Sequence, residues 1–562
     1  MATPFNPYVQ HSRIIPAMTW SQTYLLFGKG LAFSAVLASI PIFTLLILLG
    51  LVRRPSWVAG LSGLGITFLL AIGAYHMPVV TAVSAAMHGA AFGLFPISWI
   101  VFWAITLFRI TEVTGKFEII KHSVSRLTPD RRLQALLIAF AFGAFLEGAA
   151  GFGTPVAIAA TMLTGLGFSA FNASALCLLA NTAPVAFGSI AIPIVTLAGT
   201  TGLPLDKLSA AVGSFCAPVS LFLPTYMIVA MWGLSGMGGI WWPALTAGLT
   251  FASVQFTVSN FIGPQLTDIL ASLTAMLSLV VMLRFWHPKS HDTNTYLAER
   301  ALAETATLEY TMAEAIYAWL PYGLLVVCVL LWGYKPIQTV LNSASVSIPW
   351  PFLHNVVRRM PPVVSKVAPY PAVFNLNWFA ASGTSCMTAT VLSAICLRMS
   401  PRQFIRVLLS VVRTLLLPTV TVTSVIAMAF LMNYCGATAT LGLAFSASGA
   451  LFPFFSALLG WLGVFLTGSD TSANALFGGL QVVTAGRLSL DPVLLAASNS
   501  AGGVMGKMIS LQTIAVAAAA TGMSVSDQSK LFRFTLKHSI LLASVIGGMA
   551  LLYVYVFHLH WI

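Results

Sequence analysis

Residues 141–167 read AFGAFLEGAAGFGTPVAIAATMLTGLG, and residues 463–481 read GVFLTGSDTSANALFGGLQ. Each stretch has an apolar arm of about 13 residues, a small polar turn and a second short arm. A helix of 13 residues is roughly 20 Å long, which is too short to cross a hydrocarbon core of about 30 Å. Non-helical backbone at that depth is tolerated only inside protein or beside a water-filled cavity. We therefore predict two re-entrant hairpins, near 134–166 and 454–486, whose tips stop inside a membrane.

The composition of the whole chain agrees with this interpretation. Of its 562 residues, 58% are hydrophobic and only 7% are charged, whereas an ordinary globular protein carries roughly 25% charge. These values exclude a soluble globular protein, a disordered chain and a small disulfide scaffold. Apolar runs recur along the chain without alternating, and lipid offers no partner to backbone amides, so the runs are helices. The predicted fold is an all-α polytopic membrane protein with about 12 transmembrane helices plus two re-entrant hairpins.

Four further parts of the chain are distinguished, and one of them contains two of the predicted spans. An N-terminal segment covers 1–30, and a polar linker at 285–315 is expected to be a solvated cytoplasmic helix. The proline-rich segment 339–375 is expected to be an irregular extracytoplasmic loop, and 234–284 holds two connecting helices. The spans are expected near 31–51, 56–74, 93–114, 172–200, 211–233, 239–257, 262–284, 316–337, 377–397, 407–434, 492–520 and 538–560.

The basic residues predict how the chain is oriented. The formal net charge is +13, and most of it lies in short loops between apolar runs, which favours the positive-inside rule over nucleic-acid binding. Loops 116–132, 398–406 and 530–537 are placed on the cytoplasmic side, so both termini lie outside. Loop 339–375 is basic as well, but long loops obey the rule poorly. Six cysteines form no CxxC pair, which indicates neither a metal site nor a disulfide framework.

The chain also contains a weak internal repeat. A shift of 320 residues aligns Phe145–Gly148 with Phe465–Gly468, and Thr201-Gly202 with Thr521-Gly522. The order of spans, hairpin and further spans recurs as well, with an odd number of spans between the two starts. Residues 31–233 and 316–562 are therefore predicted to be inverted repeats, a design in which secondary transporters place their substrate site near the membrane midplane.

An interrupted helix is predicted after each hairpin. Residues 179–188 read LANTAPVAFG, in which Pro184 removes a helix hydrogen bond. Residues 498–507 read SNSAGGVMGK, in which Gly502-Gly503 favours unwinding. Two breaks and two hairpin tips then bring four helix ends together, and their free N–H groups suit an anion.

Three ionisable residues are predicted to lie at this depth, where each must face protein or water. Glu147 and Asp470 are at the hairpin tips, and Lys507 is within the last broken helix. Lys507 either forms a structural ion pair with Asp470 or attracts a substrate carboxylate. Glu147 is either a neutral structural residue or the carrier of a proton. Asp268, at the start of a span, is interpreted as structural.

The same segments resemble the bacterial L-lactate permease family, which includes glycolate permeases. The resemblance is carried by Ala144–Gly153 (AFLEGAAGFG), Asn181–Gly188 (NTAPVAFG), Trp461–Ser472 (WLGVFLTGSDTS), Gly506–Ser510 (GKMIS), Arg358–Ser365 (RRMPPVVS) and Thr128–Leu136 (TPDRRLQAL). It implies proton-coupled uptake of L-lactate, D-lactate or glycolate across a bacterial cytoplasmic membrane. It also implies the architecture of the hairpin-containing elevator transporters, which are often dimeric, so a homodimer is expected. The chain departs from the family pattern at Thr154, Ala501 and Met505, so the resemblance does not fix which acid is preferred.

The predicted site has two groups of residues and no metal or other cofactor. Glu147 or Asp470 is expected to carry the coupled proton. The residues expected to bind the substrate carboxylate or hydroxyl are Lys507, Asn181, Thr182, Ser498, Asn499, Ser500, Gly148, Gly468, Ser469 and Thr471. Coupling to sodium is the main alternative. A remote alternative is an intramembrane hydrolase that uses the GLSG sequences at 60–63 and 233–236, but no histidine base accompanies them, and we expect a transporter rather than an enzyme.

Overall fold

The computed structural model describes residues 19–50, 52, 54–125, 127–151, 154–286 and 310–561. Within these residues, 11 helices are long and apolar enough to cross a membrane, or 12 if one bent pair counts as a single span. This confirms the predicted polytopic α-helical class. The 11 helices are Leu31–Gly50, Ser56–Gly73, Val79–Val113, Arg131–Ala149, Leu205–Trp232, Thr267–Phe285, Met312–Gly333, Pro401–Cys435, Ala437–Thr467, Pro492–Thr521 and Ser526–Tyr555.

Several predicted spans differ in length from the helices that form. The span predicted at 93–114 is the second part of Val79–Val113, in which Val79–Phe92 and Trp99–Val113 are joined by a π-helical segment around Pro96. The backbone is not helical at Phe95, where φ is −135° and ψ is 123°, so the two parts are joined across a kink beside Pro96. The span predicted at 377–397 is the shorter helix Ser382–Cys396.

The first hairpin, named here for residues 131–165, has a longer first arm than predicted: its 19 residues are long and apolar enough to cross a membrane, so the re-entrant course of this hairpin stays a prediction. Its first arm is Arg131–Ala149 and its second is Thr154–Gly165. The first arm begins before the apolar run because Asp130 caps it, accepting a hydrogen bond from the Arg132 amide at 2.8 Å. The buried Arg132 guanidinium also donates to the carbonyls of Gly236 and Gly238 at 3.0 and 3.1 Å. One of the two GLSG sequences is thereby an anchor for the hairpin base.

The second hairpin, named here for residues 452–488, turns within two residues. Its arms are Phe452–Thr467 and Asp470–Leu488. Gly468 ends the first arm with a φ of 72°, a left-handed conformation that glycine adopts without strain. Ser469 caps the second arm and accepts a hydrogen bond from the Ser472 amide at 3.2 Å. Gly468, Ser469 and Asp470 therefore form the tip, at the position that the sequence predicts.

The first broken helix consists of Ala170–Ala180 and Val185–Thr201, which are bent by 68°. The break contains Pro184, as predicted. Immediately after it, Ser189, Ile190 and Ala191 have φ values of 47°, 59° and 62°. Left-handed backbone at three successive non-glycine residues is strained, and such strain tends to collect at functional sites.

The second broken helix is continuous from Pro492 to Lys507 and resumes at Leu511–Thr521. The predicted break at Gly502-Gly503 is therefore wrong. A Cβ at Gly502 would overlap the Ala457 carbonyl, so this glycine serves close packing against the first arm of the second hairpin. The break lies instead at 508–510, where Ser510 caps the next helix through the Thr513 amide at 3.1 Å.

The element order predicted from the repeat is present in the described residues. Val79–Val113 and Pro401–Cys435 are both 35 residues long, and each precedes a hairpin and a broken helix. The two broken helices end at Gly202 and Gly522, whose φ values are 74° and 68°. The inverted relation of the halves and the domain boundaries stay predictions.

The loop predicted as irregular at 339–375 is partly ordered into strands. Val346–Pro349 pairs antiparallel with Val373–Leu376. Val357–Arg359 lies between Trp20–Ser21, which is parallel to it, and Ala368–Pro369, which is antiparallel. A short helix, Lys335–Asn342, precedes them. The prediction missed these strands because prolines flank each short run. Most of the linker at 285–315 lies outside the described residues.

The remaining helices complete the described fold. Leu31–Gly50 is followed by Ser56–Gly73, and Lys116–Ser125 joins Val79–Val113 to the first hairpin. Leu205–Trp232, Trp241–Phe261 and Thr267–Phe285 follow one another in the chain, and each packs against the next. Ala437–Phe445 leads into the second hairpin, and Val525–Tyr555 ends the fold.

Candidate substrate site

A buried ion pair joins the two halves of the chain. Lys507 Nζ donates to Glu147 Oε1 at 2.7 Å, although 360 residues separate them in the sequence. Lys507 is 8% exposed and Glu147 is 2% exposed. Lys507 is the last residue of its helix segment, where the partial negative charge of the helix end favours a cation. The predicted pairing of Lys507 with Asp470 is thus replaced by a pairing with Glu147.

Glu147 is held on both carboxylate oxygens. Asn181 Nδ2 donates to Oε2 at 2.9 Å, while Lys507 holds Oε1. Asn181 is the first residue of the break in the first broken helix. Since a buried charge is stable only when it is paired and hydrogen-bonded, the three residues fix the first hairpin tip against both broken helices.

Asp470, at the second hairpin tip, has a different environment. Its Oδ2 accepts hydrogen bonds from Ser500 Oγ at 2.9 Å and from Asn474 Nδ2 at 3.2 Å. Its Oδ1 has no hydrogen-bond partner among the described residues. A Cβ at Gly503 would overlap Oδ1, so only glycine at 503 leaves room for this carboxylate.

A chain of buried amides continues from Asp470 into the protein. Asn499 Nδ2 donates to Asn474 Oδ1 at 3.2 Å, and Gln481 Nε2 donates to Asn499 Oδ1 at 3.1 Å. Asn474 Nδ2 also reaches the carbonyl of Pro193 at 3.2 Å. This network ties the second hairpin to both broken helices, and it orients the Asp470 side chain from behind.

A cavity of about 330 Å³ lies against these groups. Its wall comes from the second hairpin tip, both breaks, the start of Ser56–Gly73 and the middle of Pro401–Cys435. Its size is at the lower end for small-molecule sites, which fits a ligand of few atoms. The polar side chains on its wall belong to Ser56, Glu147, Ser189, Thr421, Thr467, Ser469, Asp470, Thr471, Ser472, Lys507, Gln512 and Thr513.

The predicted site residues divide into those on the cavity wall and those behind it. Lys507, Glu147, Gly468, Ser469, Asp470 and Thr471 are on the wall. Behind the wall, Asn181 and Ser500 donate hydrogen bonds to the wall carboxylates, and Asn499 donates to the amide network that supports Asp470. Thr182 donates to the Leu179 carbonyl at 2.7 Å, and Ser498 Oγ is buried without a partner among the described residues. These five residues and Gly148 are not on the wall.

Sequence reasoning missed several wall residues. Ser189 lies there and donates to the Ala150 carbonyl at 2.9 Å, which joins the first break to the first hairpin tip. Thr513 and Gln512 follow the displaced second break. Further wall residues come from helices in which the sequence analysis found no motif, so only the tertiary packing reveals them: Ser56, Leu417, Pro418, Thr421 and Val422.

Asp268, which the sequence analysis interprets as structural, lies beside the first hairpin tip. It is 1% exposed, and neither carboxylate oxygen has a hydrogen-bond partner among the described residues. A Cβ at Gly148 would lie 2.9 Å from Asp268 Cβ, so the side chain adjoins the first hairpin tip. The signal available in the sequence was an acidic residue at the start of an apolar run.

Comparison with known proteins gives a consistent result over nearly the whole chain. A family model described as L-lactate permease matches residues 34–557. Glycolate permease GlcA of Escherichia coli K12 is 43% identical over 555 residues, covering 96% of this chain and 99% of that protein. L-lactate permease of Bacillus subtilis is 42% identical over 564 residues, with coverage of 96% and 99%. L-lactate permease of E. coli K12 is 41% identical over 547 residues, with coverage of 96% and 98%.

Two solved structures are similar at a lower level. MtrF of Neisseria gonorrhoeae, from a class of antimetabolite efflux pumps, aligns over 91% of this chain and 97% of its own, with a TM-score of 0.48 at 12% identity. The YdaH transporter of Alcanivorax borkumensis aligns over 88% of this chain and 89% of its own, with a TM-score of 0.43.

The sequence relatives and the apolar helices together make this a multi-pass protein of the bacterial inner membrane. Because the family model and relatives of 41–43% identity extend over nearly its whole length, the chain belongs to the L-lactate permease family.

Proposed function

We propose that this protein carries a small 2-hydroxymonocarboxylate, namely L-lactate, D-lactate or glycolate, into the cell together with a proton. The relatives named as lactate and glycolate permeases support the substrate class. The observation that carries the proposal is the buried Lys507–Glu147 pair on the wall of a small cavity. A buried ammonium at such a wall can exchange one carboxylate partner for another.

The proposed binding step is a competition for Lys507. A substrate carboxylate that enters the cavity takes the ammonium from Glu147, or shares it, and the hydroxyl groups at the second hairpin tip bind the remaining polar atoms. The substrate adds one negative charge to a site that already holds Glu147 and Asp470. Because an uncompensated buried charge is costly, one carboxylate of the site takes up a proton as the anion binds.

This charge balance couples the two transported species. One anion and one proton enter the site together, so the loaded and the empty site carry the same net charge. Glu147 and Asp470 are the carriers proposed from the sequence, and both lie on the cavity wall. The site is complete within one chain, so the expected homodimer is not needed for the mechanism.

Counterflow in proteoliposomes tests the substrate class. Vesicles loaded with unlabelled L-lactate, D-lactate or glycolate should take up the corresponding labelled acid, and a pH gradient should drive its accumulation with proton entry recorded by an internal dye. The Lys507→Met variant should lose substrate affinity. Absence of counterflow with all three acids would refute the proposal, and an unchanged affinity in Lys507→Met would remove Lys507 from binding.

Two further measurements identify the residue that carries the proton and the ion that is coupled to transport. Glu147→Gln and Asp470→Asn should each be assayed under a pH gradient, and undiminished accumulation removes that residue from proton coupling. Accumulation driven by a sodium gradient at clamped pH would support the sodium-coupled alternative instead. The oxygen-rich second hairpin tip makes this alternative worth measuring, since sodium prefers oxygen ligands.

A further inference from the structure

Asp268 is a buried carboxyl group that the proposed binding step does not use. It lies in the first turn of Thr267–Phe285, it is 1% exposed, and both of its oxygens lack hydrogen-bond partners among the described residues. A helix-capping role would require a bond to the first amides of the helix, and none is formed. A bare buried carboxylate is costly, so in this arrangement the side chain is stable as the neutral acid.

The charged and titratable groups around Asp268 belong to the substrate site. Glu147 lies on the adjoining hairpin tip, and both Glu147 and Lys507 act on Asp268 electrostatically. Cys216, on Leu205–Trp232, is the other titratable neighbour. The packed segments 135–142, 188–201 and 241–266 contain no Asp, Glu, Lys, Arg or His. Asp268 therefore interacts with Lys507 and Glu147 and with no competing charge on those segments.

We propose that Asp268, rather than Glu147 or Asp470, carries the coupled proton, an assignment that rests on the proposed proton-coupled transport. With Asp268 ionised, Lys507, Glu147 and Asp268 together carry one net negative charge. A proton from one side of the membrane binds an Asp268 oxygen and removes one negative charge, and the substrate carboxylate then supplies one. The total charge is the same before and after loading. After the anion leaves, the O–H bond breaks and the proton is released to the other side.

Ionised Asp268 also has a second effect on the empty site. It attracts Lys507 and repels an entering anion, so substrate binding requires prior protonation. Glu147, with both oxygens held by Asn181 and Lys507, remains ionised and positions the ammonium. The substitution Asp268→Asn imitates the protonated acid in size and charge, so it separates substrate exchange from proton coupling.

The experiment compares four purified proteins in proteoliposomes: wild type, Asp268→Asn, Asp268→Glu and Asp206→Asn. Asp206 is a matched control because it also lies in the first turn of its helix, but is exposed. Asp268→Asn should keep counterflow within about twofold of wild type and lose at least tenfold of the accumulation driven by a pH gradient. Its counterflow should also no longer depend on pH, whereas Asp206→Asn should behave as wild type.

Several outcomes would overturn the assignment. Accumulation and proton uptake equal to wild type in Asp268→Asn would do so, and so would loss of counterflow in a folded Asp268→Asn, because the residue would then serve substrate binding or packing. Asp268→Glu keeps the carboxyl group and decides the matter if the asparagine variant does not fold: a displaced pH dependence supports the assignment, and an unchanged one overturns it. If wild type itself shows no accumulation under a pH gradient, the proposed proton-coupled function fails first.

Discussion

The Lys507–Glu147 pair dominates the energetics of the site because both partners are buried. Removing one partner of such a pair leaves an uncompensated charge, which costs roughly 3–5 kcal/mol. Replacing both partners with neutral groups avoids that cost. An exposed pair such as Lys530–Asp527, at 2.9 Å, contributes little to stability because solvent screens it. The two pairs therefore provide a direct comparison.

We predict that Lys507→Met and Glu147→Gln each lower the thermal unfolding midpoint in detergent, and that the double variant recovers part of the loss. The reason is that each single variant strands a buried polar or charged partner. The measurement is a double-mutant cycle, with Lys530→Met and Asp527→Asn as the matched exposed pair. Strictly additive losses at the buried pair would contradict an ion pair there.

A second prediction at the residue scale concerns Gly503. Its missing side chain is what admits Asp470 Oδ1. Gly503→Ala should displace the carboxylate, reduce counterflow strongly and destabilise the protein by about 1–3 kcal/mol, as overpacking does. Gly65→Ala is the control, since a Cβ at Gly65 meets nothing within 4 Å. Wild-type counterflow in Gly503→Ala would show that the position of Asp470 is not critical.

The ionisable residues of the site could be found from the sequence, but not their partners. Glu147, Asp470 and Lys507 stand out because charges are rare in apolar helices. Choosing Glu147 over Asp470 as the partner of Lys507 requires knowing how two segments 360 residues apart pack together. The neighbours of Asp268 could not be predicted for the same reason, because they are distant in the chain.

At the scale of helices, glycines form a seam between the second hairpin and the second broken helix. A Cβ at Gly460 would overlap the Asn499 carbonyl, and Cβ atoms at Gly502 and Gly506 would overlap the carbonyls of Ala457 and Trp461. The backbones approach this closely only because these side chains are absent. Of these glycines, Gly502 was part of the helix break predicted from the sequence, since unwinding and close packing both favour glycine.

The seam predicts that the hairpin and this helix move as one unit. Gly460→Val should separate the two backbones, lower the thermal unfolding midpoint and abolish counterflow, because Asn499 belongs to the network behind Asp470. Gly548→Ala is the control, since it lies on Val525–Tyr555 with nothing within 4 Å of an added Cβ. A stable and active Gly460→Val variant would show that the close approach is dispensable.

At the scale of the whole molecule, two cavities follow one another along the same two helices. A second cavity of about 460 Å³ is lined by the end of the first broken helix, by residues 430–434 and by part of the loop 370–377. On the first broken helix, the substrate cavity reaches Pro193 and the second cavity begins at Ala198. The four residues between them span roughly 6 Å.

An aromatic contact lies on the wall of the second cavity. The rings of Phe92 and Phe430 stack with centroids 5.8 Å apart. Phe92 also covers Gly199, where a Cβ would overlap its ring. Since the second cavity adjoins the loop predicted to be extracytoplasmic, we predict that this contact lies between the outer side and the Lys507 cavity.

This arrangement predicts the side from which each cavity is reached, which the sequence suggests through charge alone. Ser56 lines the Lys507 cavity two residues after Arg54, so the positive-inside rule assigns that opening to the cytoplasm. In a background where the exposed Cys396 is replaced by serine, Ser56→Cys should react with a membrane-impermeant maleimide only in inverted vesicles. Asn375→Cys, on the wall of the second cavity, should react only in right-side-out vesicles. Lactate should slow labelling at Ser56→Cys and leave Asn375→Cys unaffected. Reaction of Ser56→Cys from the outer side would reverse the predicted orientation. The Phe92–Phe430 contact would then no longer be placed on the outer side of the Lys507 cavity.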